Sequence, residues 1–325
     1  MNEFRNILFV AEPVPGNEAA FAQAVALARS NQASLTVLGV IDLPSMPVPA
    51  LESSATELHD AVLAALRDEL TVLRESAGDT PDLELKVVAG KRFLEIIREV
   101  LRHDHDLVIK APEDPAWLDR LYGSDDMHLL RKCPCPVWLV KHSPSGSYRR
   151  ILAAVDVDAD HPARELTIRH KLNVKILELS VSLALSDFAE LHVAHAWEVI
   201  GESALRHGAF IQMPENEVNA HVERVRKHYA KLLDALISEA GAKLGQDAIN
   251  YINPQIHMPK GSARKVIPEL ARRLQVDCVV MGTVARTGVP GFFMGNTAEN
   301  ILNQIECSVL AIKPPGFVTP VTVEE

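Results

Sequence analysis

Residues 276–300 read VDCVVMGTVARTGVPGFFMGNTAEN, and this stretch decides the fold. Its apolar, β-branched beginning, Val276–Val280, is typical of a buried parallel strand. Thr297–Leu302 then predicts the first turn of a helix. Glycines between a strand and a helix allow the backbone to approach a ligand closely, and a helix start offers unpaired N–H groups to an anion. The stretch therefore predicts a phosphate-binding loop, with a purely structural turn as the alternative.

The loop differs from two common nucleotide-binding signatures. No Gly-Lys-Ser/Thr follows its glycines, so it is not a Walker A loop, and the glycine spacing does not fit the dinucleotide fingerprint. No Ser/His/Asp or Cys/His order is recognisable either. The sequence therefore assigns no catalytic residue and no metal ligand set, and it leaves a slow ATPase open.

Composition and charge exclude several classes of protein. A chain of 325 residues predicts two domains. The formal net charge of −10 argues against direct nucleic-acid binding, which requires a basic face. No apolar run reaches the ~18 residues of a membrane span, so we expect no membrane insertion. The four cysteines do not form a disulfide framework, and the first residues lack a signal-peptide pattern, so we expect a cytoplasmic protein.

Strand and helix patterns alternate along the chain and occur twice in the same order. This alternation predicts parallel sheets with helices on both faces. Residues 4–8 (FRNIL) match residues 148–152 (YRRIL), and Asp106-Leu107-Val108 matches Asp277-Cys278-Val279. The matches are collinear, which indicates a duplicated domain with insertions in the second half. We predict a first domain at 1–142, a second at 148–315 and a tail at 316–325.

The fifth strand of each copy is the expected meeting place of the two domains. An unpaired apolar edge strand favours pairing with another edge. We therefore expect the two copies to pack as an internal pseudo-dimer, and the sequence leaves further dimerisation and protein partners open.

The motifs of the second copy resemble those of the universal stress protein family. ATP-binding members carry a glycine, two residues, a second glycine, nine residues and then Gly-Ser or Gly-Thr. Here Gly282 is followed by Ala285 at the second glycine position and then by Gly295-Asn296, while Asp156 ends the first strand of the copy. The resemblance covers nearly the whole chain and is closest to tandem-domain members. It implies two adenine nucleotide α-hydrolase-like α/β domains, each with a five-stranded parallel sheet.

The resemblance also implies an adenine-nucleotide site for ATP or ADP, with or without Mg²⁺, in the second domain. Asp156 would accept hydrogen bonds from the nucleotide, with a turn-forming role as the alternative, and Arg286 would bind a phosphate or remain solvated. Ala285 adds a methyl group that disfavours positive φ. The implied site residues are Ala154, Val155, Asp156, Ala196, Met281, Gly282, Val284, Ala285, Arg286, Gly295, Asn296 and Thr297.

The first copy has lost this pattern. Glu12 replaces the aspartate, and Pro112-Glu113-Asp114-Pro115 places negative charge where phosphates would lie. We therefore interpret this copy as structural or as a site for a different ligand.

Other ligand-type residues have simpler explanations. We interpret Cys133-Pro134-Cys135 as structural rather than as a metal or redox pair, and residues 103–106 (HDHD) as a solvated loop rather than a metal site. His192 and His195 are three apart on a predicted strand and should face opposite sides. Residues 161–187 predict a long amphipathic helix that packs on the core or, alternatively, forms an apolar pocket wall.

These features, together with the resemblance, predict a regulator or protector in the cytoplasmic stress response, including resistance to DNA damage, rather than a fast catalyst. The alternative is a protein that binds another small molecule, such as a lipid-like or nucleotide-sugar ligand, and retains a vestigial nucleotide loop.

Overall fold

A computed structural model describes residues 3–42, 52–78, 80, 82–113, 124–141, 147–158, 162–207, 213–283 and 294–323, with side chains from residue 61 onward in the second helix. The chain forms two compact units. The first unit contains residues 1–147, 288–294 and 306–325, and the second contains residues 148–287 and 295–305. Among the described residues, none of the helices is long and apolar enough to cross a membrane.

Strands and helices alternate as the sequence predicts. The first copy contains β1 (Asn6–Ala11), α1 (Asn17–Asn31), β2 (Ser34–Ile41), α2 (Glu52–Ser76), β3 (Leu83–Ala89), α3 (Arg92–His103), β4 (Leu107–Lys110), α4 (Asp125–Lys132) and β5 (Val137–Leu139). The second copy contains β6 (Arg150–Ala154), α5 (Ala163–Asp187), β7 (Glu190–Ala194), α6 (Glu202–His207), α7 (Glu215–Leu244), α8 (Gln246–Ile252), β8 (Gln255–His257), α9 (Ala263–Leu274), β9 (Cys278–Gly282), α10 (Asn296–Leu302) and β10 (Ser308–Ile312).

The first unit has a mixed sheet in the order β3-β2-β1-β4-β5-β10. The five strands of the first copy are mutually parallel. β10 pairs antiparallel with β5, with Val309 opposite Leu139 and Ala311 opposite Val137. The prediction that the two fifth strands meet is therefore confirmed, and the last strand of the second copy completes the sheet of the first unit.

The strands of the first unit are buried on both faces. Ile7, Leu8, Phe9 and Val10 have no exposed surface although their side chains alternate between the two faces of the sheet. This burial explains why β1 is a continuous apolar run rather than an alternating one, because helices cover both faces of a parallel sheet.

The second unit has four parallel strands in the order β9-β6-β7-β8. α5 begins and ends close to the predicted bounds, and it turns into β7 through Phe188 at φ 55°, whose N–H binds the Ala184 carbonyl. Val174 and Leu179 of α5 are buried in the core, as the first prediction has it, and Leu172 and Ile176 also line a cavity.

One aspartate fixes the first strand of each copy in the same way. The Asp106 carboxylate accepts hydrogen bonds from the backbone N–H groups of Arg5 (2.6 Å) and Asn6 (3.2 Å). The Asp277 carboxylate accepts the equivalent bonds from Arg149 (2.7 Å) and Arg150 (2.8 Å). The repeat seen in the sequence is therefore also a repeat of contacts.

Candidate functional site

A cavity of about 250 Å³ lies at the carboxyl ends of β6, β7 and β9 in the second unit. In parallel α/β sheets this end of the strands is where ligands bind. Its lining includes eight of the residues implied by the family resemblance: Ala154, Val155, Asp156, Ala196, Met281, Gly282, Gly295 and Thr297.

The other implied residues lie elsewhere or cannot be placed. Asn296 is the exposed first residue of α10, outside the cavity lining. It does not cap the helix, because Gly295 occupies the N-cap position without a side-chain bond. Val284, Ala285 and Arg286 lie outside the described residues.

Gly282 lies against the Leu172 side chain of α5 and does not adopt a left-handed backbone conformation. A Cβ atom at this position would lie 2.7 Å from Leu172 Cδ2 on α5, a distance that real Cβ atoms do not adopt. The glycine therefore lets α5 pack against the end of β9. The equivalent residue of the first copy is the buried Ala111.

Two residues that the sequence argument missed hold Asp156 in place. Arg169 Nη1 lies 2.5 Å from Asp156 Oδ2, and Arg169 Nε lies 3.1 Å from Glu165 Oε1. Asn173 Oδ1 accepts the Asp156 backbone N–H at 3.1 Å, and its Nδ2 donates to the Asp156 carbonyl at 2.6 Å. Glu165, Arg169 and Asn173 are spaced by four, so they form one polar stripe on α5. The spacing of four is visible in the sequence, although it does not show which strand the stripe faces.

His195 forms part of the cavity wall. Its Nδ1 lies 3.4 Å from both the Val155 carbonyl and the Val157 N–H, and its ring stacks at a tilt 5.0 Å from Tyr229 of α7. Burial lowers the pKa of His195, while Asp156 and Asp158 oppose this shift. The site therefore presents a neutral imidazole near an ionic Asp156–Arg169 pair.

His192 does not reach the cavity. Its Nδ1 contacts His257 Nε2 at 3.0 Å on the neighbouring strand β8. This placement agrees with the expectation that His192 and His195 face opposite sides.

The equivalent location in the first unit is filled by buried charges. Lys110, at the end of β4, is completely buried, and its Nζ lies 2.9 Å from Glu12 Oε1 and 2.5 Å from Asp126 Oδ1. Arg92 lies 3.6 Å from both Glu12 and Glu113. The two carboxylates raise the pKa of Lys110 although burial opposes this, and burial raises the pKa of Glu12. Asp114, part of the predicted acidic loop, lies outside the described residues.

The cysteine pair of the first copy and His105 in its histidine-rich turn are both buried. Cys133 Sγ and Cys135 Sγ are buried free thiols 3.5 Å apart. The solvated-loop interpretation of residues 103–106 is wrong for His105, which is only 4% exposed. His105 follows a left-handed residue, Asp104 at φ 54°, which turns the chain directly from α3 into the buried strand β4.

Comparison with known proteins identifies the family. A model of the universal stress protein family matches residues 3–141 and 147–313. The chain belongs to this family. Universal stress protein E of Escherichia coli K12 is 34% identical over 247 residues, which cover 75% of this chain and 72% of that protein. Universal stress protein E homolog of Haemophilus influenzae is 30% identical over 324 residues, which cover 96% and 98%.

Solved structures support the tandem fold of this family member. A functionally unknown protein from Pseudomonas aeruginosa PAO1 superposes with a TM-score of 0.66 at 27% identity, covering 96% of this chain and 94% of that one. A universal stress protein from Archaeoglobus fulgidus gives a TM-score of 0.64 at 17% identity, covering 96% and 99%.

Proposed function

We propose that this universal stress protein binds an adenine nucleotide, ATP or ADP, in the cavity of its second unit and acts as a cytoplasmic regulator or protector in the stress response. The observation that carries the proposal is the convergence of the implied site residues. Asp156 from the end of β6, Gly282 from the end of β9, and Gly295 and Thr297 at the start of α10 border one cavity.

The chemistry of the walls suits a nucleoside. Ala154, Ala196 and Ile267 supply apolar surface for a base. The Asp156 carboxylate is 54% exposed although it contacts Arg169, so it retains acceptor capacity for a ribose hydroxyl. Arg169 keeps this carboxylate oriented towards the cavity. The phosphates would extend towards Gly295 and Thr297.

A test of this proposal combines calorimetry with thermal unfolding. The full-length protein, freed of carried-over nucleotide, is titrated with ATP and with ADP in the presence of Mg²⁺. At a hundredfold excess over Kd we expect about 2.7 kcal/mol of added stability, because the nucleotide binds only the folded state. Asp156→Ala removes the acceptor and should abolish most of this gain.

The control is Asp234→Ala, which removes an exposed carboxylate on α7 of the same unit, outside the cavity lining. It should bind like the parent protein. Absence of heat and of stabilisation with both nucleotides, in protein confirmed to be nucleotide-free, would refute the proposal.

One observation favours a second candidate. Leu172 and Ile176 of α5 face the cavity and make one wall apolar. A lipid-like or nucleotide-sugar ligand would use this wall instead. Native mass spectrometry of the freshly purified protein distinguishes the two, because a retained apolar mass that survives excess ATP would favour the second candidate.

A further inference from the structure

Three ligand-type side chains of the first unit converge where α3 joins β4. Glu99 and His103 lie four residues apart on α3, and His105 follows the left-handed turn at Asp104. His103 Nδ1 lies 3.1 Å and His105 Nε2 lies 3.7 Å from Glu99 Oε1. One donor atom from each of the three residues lies within 4.8 Å of the others.

His105 gives an independent indication that a ligand belongs here. Its side chain is 1% exposed. Nδ1 has no hydrogen-bond partner among the described residues, and Nε2 meets the Glu99 carboxylate only at 3.7 Å, beyond hydrogen-bond distance. A buried polar group without a partner is unusual in folded proteins, because its lost hydration is not replaced. Coordination of an ion by the Nε2 atom, which faces Glu99, would satisfy this group.

The donor set fits one class of ion. Two imidazoles and one carboxylate form the ligand set of open, three-ligand zinc sites, and imidazole also suits other first-row transition metals. Donor atoms around a tetrahedral Zn²⁺ are separated by roughly 3.3 Å, given bonds of about 2.0–2.1 Å. The exposed His103 can close the remaining gap by a side-chain rotation, because its side chain is 47% exposed.

Lys86 places a positive charge beside the same donor atoms. Its Nζ lies 2.7 Å from Glu99 Oε2 and 3.4 Å from His103 Nε2. The lysine extends from β3, the outermost strand of the first unit's sheet, and its side chain is 28% exposed. An arriving metal ion can therefore displace the ammonium group into solvent.

We propose that Glu99, His103 and His105 form a binding site for Zn²⁺ or a similar divalent transition metal, with Lys86 as a built-in competing cation. The site belongs to the first copy alone. The second copy retains Glu269 at the position of Glu99 but has Val276 at the position of His105. The proposal is independent of nucleotide binding in the second unit.

The experiment uses full-length protein stripped with a chelator and titrated with Co²⁺ as a spectroscopic probe, followed by displacement with Zn²⁺. We expect one Co²⁺ per chain with visible d–d bands that Zn²⁺ removes. His103→Ala, which changes an exposed side chain and leaves the core intact, should weaken binding by about 100-fold or more, because even outer-shell changes cost roughly 10- to 100-fold. Lys86→Met should strengthen it about tenfold or more, because a neighbouring positive charge is removed.

The matched control is His170→Ala. His170 is another exposed histidine paired with a glutamate, Glu239 at 2.7 Å, in the second unit. It should leave stoichiometry and affinity unchanged. The proposal is overturned if the stripped protein binds no Co²⁺ or Zn²⁺, or if His103→Ala binds as tightly as the parent protein.

Discussion

At the carboxyl end of the fourth strand the first copy carries Lys110, whereas the second copy carries Met281. Two positions next to this one in the fold also carry a smaller side chain in the second copy. Asp126 of the first copy is replaced by Ala298 in the second, and the longer Glu12 is replaced by the shorter Asp156. One copy therefore neutralises its own carboxylates with a buried lysine, while the other leaves a cavity of about 250 Å³. Among the described residues, the exchange of Lys110, Asp126 and Glu12 for Met281, Ala298 and Asp156 accompanies the difference between a charged cluster and an open cavity.

The buried cluster of Lys110, Glu12 and Asp126 fills the site but contributes little net stability. Desolvation of buried charges offsets much of their mutual attraction, so such pairs contribute little compared with apolar packing. Removing a single partner is different, because it leaves the remaining charges buried without compensation.

The largest effect is therefore expected for Lys110→Met, which gives the first copy the residue of the second. Glu12 and Asp126 lose their common partner, and the free energy of unfolding should fall by about 3–5 kcal/mol. Urea titration followed by circular dichroism measures this loss. Met281→Leu in the second copy is the control and should cost less than about 1.5 kcal/mol.

A triple variant sharpens the same comparison. Lys110→Met combined with Glu12→Gln and Asp126→Ala removes the uncompensated charges and should recover most of the lost stability. If Lys110→Met alone is as stable as the parent protein, the contrast between a self-neutralised and an open site is wrong.

A smaller effect is expected where the two copies agree. Asp106→Ala and Asp277→Ala each remove a carboxylate that accepts two backbone N–H groups of the first strand. Each should lower the free energy of unfolding by about 1.5–3 kcal/mol, the range for hydrogen bonds to charged groups. The same urea titration measures both variants. A difference of more than about 1 kcal/mol between them would show that the contacts are equivalent only in geometry.

The smallest effect is a pH dependence from the histidine pair on β7 and β8. Burial lowers the pKa values of His192 and His257 below the usual 6.5. The unfolded chain then binds more protons than the folded one below about pH 6.5, so stability falls as the pH decreases from there through the folded-state pKa values. The first copy has Thr36 at the position of His192.

His192→Thr should therefore lose less stability than the parent protein as the pH falls. The difference in the free energy of unfolding should be smaller than the loss expected for either aspartate variant. Thermal unfolding between pH 5 and pH 8 measures it. His170→Ala removes an exposed histidine of the same unit and is measured beside it. If the stability of His192→Thr depends on pH as steeply as that of the parent protein, the acid sensitivity arises from other groups.

The sequence predicted elements well where local pattern and burial agree. The apolar, β-branched run of residues 34–41 predicts a strand with the bounds that β2 has, Ser34–Ile41. The apolar spacing predicts a helix over residues 93–101, and α3 is longer, Arg92–His103, since the left-handed Asp104 ends the helix beyond the apolar stripe. The burial of His105 was missed, because four polar residues in a row resemble a surface loop.

The candidate site was predictable only in part. Gly282 follows from the glycines between a predicted strand and helix, and Asp156 follows from the resemblance to the family's motif. Arg169 and Asn173 do not, because their helix lies in an inserted segment whose facing strand cannot be deduced from spacing. The pairing of Lys110 with Glu12 joins residues 98 positions apart, and two isolated charges give no local signal of such a contact.

The antiparallel pair of β5 and β10 has a consequence for the order of biosynthesis. β10 begins at Ser308, whereas β5 ends at Leu139, so β5 leaves the ribosome well before β10 does. Until then the β5 edge, with the buried Trp138, has no partner from β10 and is open to wrong pairing. The sheet of the first unit can therefore be completed only after the second copy has been translated as far as β10.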